Sequence, residues 1–204
     1  MGSVVNLSDL DNVNPKPVTV AIVGLSMVGK TTLRDRVIHA PSQSLRTQAI
    51  SAQIVRLPYP EDVVVALLDG GGEKLGQQFD LAESCDHLCV LVDHNASSDL
   101  IDIDGERLKQ HSAFMSQLRM RIDDRCGTKK SIRLIINKRD LWSQANDEGQ
   151  ARLMEFRDQE IGKWREGRRG ESVESLMHSN EANADVSGFV LHLKNSATEG
   201  SHAR

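Results

Sequence analysis

Basic residues hold no majority in this chain: 25 Lys and Arg stand against 29 Asp and Glu, a formal net charge of -4. That balance excludes a general nucleic-acid binder, whose footprint is basic. Cysteine is scarce as well. The three present, Cys85, Cys89 and Cys126, cannot close a disulfide set, which points to a reduced, cytoplasmic setting. No apolar run approaches the ~20 residues of a membrane helix. The N-terminus lacks the basic and apolar parts of a signal peptide. Met1-Gly2 opens like a myristoylation signal, but Asn6 stands where Ser or Thr is required. The closing Ser201-His202-Ala203-Arg204 offers no cysteine for prenylation. The expectation is a chain with no membrane anchor of its own. No internal repeat is visible. Hydrophobic residues make up 39% of the chain, low for a packed globule, and long polar connections account for the shortfall. The 204 residues still suffice for one domain with a real core.

The apolar pattern alternates between strand-like runs and helical stripes. Val18–Val23 is nearly all apolar, as a strand buried on both faces should be. Lys30–His39 reads as a helix with Leu33 and Val37 on one face, stopped by Pro41. Ala49–Leu57 and Val63–Leu68 read as a hairpin joined through Pro58-Tyr59-Pro60-Glu61-Asp62. Lys74–Cys85 is helical, Leu88–Val92 a buried strand, and Glu106–Asp124 a helix striped by Leu108, Met115, Leu118 and Ile122. Ile132–Ile136 is a further strand and Glu148–Glu166 a further helix. Phe189, Leu191 and Leu193 alternate, which predicts a last strand at Phe189–Leu193. The fold expected is α/β: a three-layer sandwich around a six-stranded, mainly parallel sheet with one antiparallel edge strand. Residues 1–17 read as a tail or linker, 18–198 as the domain with a polar insertion at 167–188, and 199–204 as a second tail.

Three short stretches fall in the turns after these strands. Gly24-Leu25-Ser26-Met27-Val28-Gly29-Lys30-Thr31 matches GxxxxGK(S/T), between a strand and a helix as that motif requires. Gly24 and Gly29 let the backbone wrap closely around phosphate oxygens. Successive amides then form an anion nest at a helix N-terminus. The Lys30 ammonium is suited to the β- and γ-phosphates and the Thr31 hydroxyl to Mg²⁺. Asp69-Gly70-Gly71-Gly72 matches DxxG, which alone is little more than a turn signal. Asn137-Lys138-Arg139-Asp140 matches NKxD.

In their order and spacing these stretches resemble the Ras-like small GTPase domains of the P-loop class. The resemblance implies GTP and GDP as ligands, with Mg²⁺, and contacts from Ser26, Met27, Val28 and Thr32 beside the motif residues. It implies that Asp69 holds the metal through water, that the Gly72 amide bonds the γ-phosphate, and that the Asp140 carboxylate accepts from guanine N1–H and N2–H₂. Adenine lacks that donor pair, and a buried acceptor left unpaired costs about 1–3 kcal/mol. Asn137 would brace the loops and the Lys138 stem would lie over the base. Asn195-Ser196-Ala197, after the expected last strand, is similar to the family's short SA(K) element, whose Ala amide meets guanine O6; Thr198 replaces the usual Lys. Thr47 is the candidate switch threonine for Mg²⁺ and γ-phosphate, and segments 42–51 and 70–83 are the candidate switches.

Two departures bear on turnover. Glu73 stands where the family has the glutamine that orients the attacking water, and Ser26 stands where many relatives have glycine. Both imply slow or unusually assisted hydrolysis of GTP to GDP and phosphate, with Lys30, Glu73 and Thr47 at the reacting end. The alternative is a hydrolysis-deficient nucleotide-binding interaction module. A P-loop enzyme that uses ATP is a third reading, against which NKxD argues. Expected partners are an effector or regulatory protein bound in one nucleotide state, other domains of the same polypeptide, or a second copy. Few residues remain after Leu193, so the family's closing helix is expected to be missing. That shortfall suggests a piece of a multidomain protein, as in Roc-type GTPase domains. Cys85, His87 and Cys89 read as packing residues, not as a metal cluster, and His94 and His111 as surface residues.

Overall fold

The computed structural model of the chain describes residues 3–5, 7–14, 16–38, 51–57, 63–69, 74–97, 99–125, 131–166 and 172–199. The strands are β1 (Ser3–Val5), β2 (Val18–Val23), β3 (Ser51–Leu57), β4 (Val63–Asp69), β5 (His87–Val92), β6 (Ser131–Ile136) and β7 (Ser172–Met177). The helices are α1 (Lys30–Val37), α2 (Leu75–Ser84), α3 (Gly105–Arg125), the single turn α4 (Arg139–Trp142), α5 (Asp147–Arg165) and α6 (Asn183–Glu199), with a short 3-10 helix at Leu7–Asn12.

One sheet runs in the order β1-β3-β4-β2-β5-β6-β7. Strands β4, β2, β5, β6 and β7 are parallel neighbours, and β3 is antiparallel to β4. Strands β2–β7 therefore form the expected sandwich sheet. The N-terminal stretch is more than a tail: Ser3, Val4 and Val5 pair antiparallel with Ile54, Gln53 and Ala52. This seventh strand takes the edge that β3 was expected to hold, and it covers the backbone groups that an open edge would expose.

Side chains alternate along each strand and feed two cores. Val20 and Ile22 point to one face with Leu33, Val37, Leu67, Phe189 and Leu193. Ala21 and Val23 point to the other with Leu81, Leu108, Met115, Leu118, Leu153 and Trp164. Helices α1 and α6 thus cover one face, and α2, α3 and α5 the other.

The C-terminal third departs from the sequence reading. Phe189–Leu193 is not a strand but lies inside α6, and the polar stretch 167–188 contains β7 and the start of that helix. The buried residues Val186, Phe189 and Leu193 recur at helical spacing, whereas Leu191 is 59% exposed. A strand would have put Leu191 on the face of Phe189 and Leu193. Full burial of a Phe side chain is worth about 1.5–3 kcal/mol, so the core settles the choice in favour of the helix. The closing helix expected to be missing is present. Ser196 and Ala197 therefore belong to α6 and follow no strand. No helix among the described residues is long and apolar enough to cross a membrane.

Candidate functional site

The C-terminal ends of β2, β4, β5, β6 and β7 carry Gly24, Asp69, Asp93, Asn137 and His178, each the last residue of its strand or the one after it. Ligands of open α/β sheets gather at this edge. Residues 24–29 turn sharply from β2 into α1. Gly24 has φ +151°, and a Cβ there would lie 2.3 Å from the Leu91 carbonyl oxygen. Gly29 has φ +92°, and a Cβ there would lie 2.6 Å from the amide nitrogens of both Asn137 and Asn180. Glycine is thus required twice, for backbone angle and for space. Met27 takes the left-handed region without that excuse, at φ 68°, and its side chain stands out in solvent.

Other loops lock this turn in place. Asn137 Nδ2 donates to the Val28 carbonyl at 2.8 Å, Asn180 Nδ2 to the Gly29 carbonyl at 2.9 Å, and the Gly24 amide to Gln78 Oε1 at 2.7 Å. Asn137 thus ties the turn after β6 to the phosphate loop. Asn180 and Gln78 bond the same loop, and neither was legible as a motif. Lys30 Nζ donates to the carbonyls of Gly24 and Leu25 at 2.8 and 2.7 Å. Burial lowers its pKa to about 8, with the nearby Asp69 carboxylate opposing and the Arg107 guanidinium adding to the drop.

Thr31 Oγ1 donates to Asp69 Oδ2 across 3.3 Å, which brings together two of the three oxygens expected around a metal. A hydroxyl beside a carboxylate at the end of a phosphate loop is a hard-donor set that fits Mg²⁺. A residue the sequence reading passed over shares that carboxylate. Arg34 Nη1 lies 2.9 Å from Asp69 Oδ2, and Arg34 Nη2 lies 2.7 Å from Asp35 Oδ1. Burial pushes the Asp69 pKa up, while the cations Arg34 and Lys30 pull it down. Thr32 follows on α1, half-buried. Thr47, Gly72 and Glu73 lie outside the described residues.

The serine beside Asp140 is not the one expected. Ser179, two residues after β7, donates through Oγ to Asp140 Oδ1 at 2.5 Å. Asp185 Oδ2 accepts from the Ser179 amide at 2.8 Å, which fixes the turn into α6. The segment that follows the last strand is thus His178-Ser179-Asn180, not Asn195-Ser196-Ala197. Ser179 and Asn180 stand directly after the last strand, where Ser196 and Ala197 were expected to stand. The misplacement follows directly from reading β7 too late.

Lys138, at φ 60°, carries its ammonium away from open solvent. Nζ lies 2.8 Å from Asp93 Oδ2 and donates to the carbonyls of Asn95 and Ser97 at 3.0 and 3.2 Å. Asp93 is fully buried. Its Oδ1 accepts from Arg107 Nε at 2.8 Å and faces His111 Nε2 at 2.9 Å. Burial works against the Asp93 charge, but the hydrogen bonds from His111 and Arg107 outweigh it and bring the pKa to about 2. Burial holds His111 below its ordinary value despite Asp93. His94 and His111, expected on the surface, are both buried; His94 Nε2 lies 2.7 Å from the Leu100 carbonyl. The signal that could have found this group is Arg107 and His111 at i, i+4, flanking the apolar stripe of α3. His87, 2.7 Å from Ser131 Oγ through Nδ1, and the buried thiols Cys85 and Cys89 pack at the opposite end of β5.

No protein-family model and no curated protein sequence matches this chain. Its backbone is similar to that of solved structures, among them Methanosarcina barkeri Roco2 RocCORdC bound to GDP, at TM-score 0.57 and 16% sequence identity. The match covers 90% of this chain and 49% of that one, so the chain spans about half its length. The likeness is one of fold: the same α/β sandwich around a mainly parallel sheet.

Proposed function

We propose that this chain binds guanine nucleotide, with Mg²⁺, and hydrolyses GTP slowly to GDP and phosphate as a molecular switch. The observation that carries the reading is the Asp140–Ser179 pair, held on the same edge as a phosphate loop that Asn137 and Asn180 brace from both base-side segments. A carboxylate oriented by a serine hydroxyl offers the paired acceptors that guanine N1–H and N2–H₂ need and that adenine cannot satisfy. The GDP bound to the Methanosarcina protein supports the same ligand.

On this reading Lys30 and the amides of residues 25–31 take the phosphates, Asn137 holds loop to loop, and Asp140 reads the base. Thr31 and Asp69 would hold Mg²⁺, with Thr47 as the switch ligand, and the ion would supply charge neutralisation on the β- and γ-oxygens. Gly72 and Glu73, near the start of the second candidate switch in the sequence, would meet the γ-phosphate and the attacking water. A partner protein would then bind in one nucleotide state. A second reading, a nucleotide-holding module with little turnover, is favoured by Arg34, which already neutralises Asp69.

The test is competition binding of GDP, GTP, ADP and ATP to the purified chain with Mg²⁺, followed by single-turnover hydrolysis. The expected result is a guanine preference that collapses in Asp140→Asn. Equal binding of adenine and guanine nucleotides, or no binding, would overturn the proposal. Guanine binding with no phosphate release would leave the second reading standing.

A further inference from the structure

The cluster at the end of β5 is a second link between two parts of the site that Asn137 and Asn180 already tie together through the Val28 and Gly29 carbonyls. Asp93 sits between them, fully buried, and holds two cations. Arg107 takes Oδ1 through Nε at 2.8 Å and reaches on to the Ser26 carbonyl through Nη2 at 2.7 Å. Lys138 takes Oδ2 at 2.8 Å. Arg107 therefore ends on the tip of the phosphate loop, and Lys138 starts from the base-reading turn. The tip needs a brace: Met27, the residue after Ser26, is a non-glycine residue at φ 68°. Such a conformation persists only where the surroundings over-determine it. Among the described residues, Arg107 is the side chain that holds the Ser26 carbonyl. Its guanidinium also lies close enough to depress the Lys30 pKa, so its field reaches the place where phosphate would sit.

We infer that Arg107 is a positioning residue for the phosphate-loop tip, and that Asp93 couples it to the base-reading Lys138. The inference rests on the guanine-nucleotide reading above. Its physical content is a shared counter-ion. Removing either cation leaves Asp93 with one charged partner. Removing both strips a buried carboxylate of the two cations in contact with it and leaves His111 beside it and the Lys30 charge farther off, and an undercompensated buried charge is strongly unfavourable. The losses from the two cations must then exceed simple multiplication.

The experiment uses the full chain and a fluorescent GDP analogue as probe, comparing release rates for wild type, Arg107→Ala, Lys138→Met and the double variant. Arg107→Ala is expected to release the analogue about tenfold faster, the size of one hydrogen bond to a charged group. Its preference for GDP over ADP should stay within about twofold of wild type, because Asp140 and Lys138 keep their contacts. The double variant should lose about tenfold more than the product of the single losses. Adding Asp93→Asn to the double variant should recover part of that excess, since a neutral amide needs no counter-ion. Unchanged release in a folded Arg107→Ala overturns the positioning role, and strictly multiplicative losses overturn the coupling. If Arg107→Ala does not fold, Arg107→Lys replaces it: one ammonium on a shorter stem cannot span Asp93 and Ser26, so faster release is expected and unchanged release overturns the inference. Wild type that binds no guanine nucleotide defeats the functional reading and takes this inference with it; wild type that binds while the variants release normally defeats this inference alone.

Discussion

Ser179→Ala against Ser196→Ala decides which serine serves the base site. Ser179 Oγ stands 2.5 Å from Asp140 Oδ1, and its own amide is tied to Asp185 at 2.8 Å, so the hydroxyl is aimed before any base arrives. A hydrogen bond to a charged group contributes about 1.5–3 kcal/mol. Asp140 is exposed, and solvent can replace part of what the hydroxyl gives, so the lower end applies. That end corresponds to about a tenfold weaker GDP complex. Folding should change little, because water reaches the freed carboxylate. Ser196 lies on α6, thirteen positions beyond its first residue Asn183. At 1.5 Å per residue that is roughly 20 Å away from the turn that carries Ser179. Ser196→Ala should bind GDP as wild type does. Isothermal titration of both variants with GDP and Mg²⁺, repeated with ADP, reads the two affinities and their ratio. The expected pattern is a tenfold loss confined to GDP and to Ser179→Ala. A loss in Ser196→Ala with none in Ser179→Ala would refute the placement of β7 and with it the geometry of the base site.

Gly29→Ala combines a left-handed backbone, about 1–2 kcal/mol, with a Cβ 2.6 Å from two amide nitrogens that brace the loop. Displacing them brings the total to about 3 kcal/mol, and thermal unfolding should show a midpoint about 6–12 °C lower; an unchanged midpoint would contradict the close packing. Arg34→Gln removes the cation paired with Asp69 at 2.9 Å. Mg²⁺ titration of the GDP complex should then show tighter metal binding by about tenfold, and unaltered or weaker metal affinity would mean that Arg34 does not compete. The Lys30 pKa stands near 8 in the folded chain against 10.5 ordinarily. Between those values the unfolded state binds the extra proton, so stability should rise with pH across that window. Nucleotide needs the ammonium, so GDP affinity should fall by up to about tenfold from pH 7 to pH 9. Lys30→Arg should abolish both trends in urea unfolding and in GDP titrations, and their survival would assign them to another group.

The nucleotide motifs were legible because each answers to a local demand. A phosphate loop needs glycine at fixed offsets, and a base-reading turn needs Asn and Asp after an apolar strand. Residues whose duty depends on which strands are neighbours gave no such signal. Asp93 follows a buried strand much as Asp69 ends one, but nothing local says that α3 will set Arg107 and His111 against it. Arg34 and Gln78 look like ordinary helix-surface residues until Asp69 and Gly24 come beside them. Strand β7 is an outer strand with one well-buried apolar residue, Val173, so its composition reads as loop. The run from Phe189 to Leu193 holds enough apolar residues to satisfy a period of two and a period of 3.6 together. Length and position could have arbitrated: a parallel sheet that ends at Leu193 leaves α1 alone on its face, with Val20, Ile22 and Leu67 in need of cover. That unmet burial argues for a helix at the C-terminus, which moves the last strand back to Ser172–Met177 and brings Ser179 to Asp140. The demand of one apolar face for a cover thus decides which serine meets Asp140, although that serine takes no part in that face.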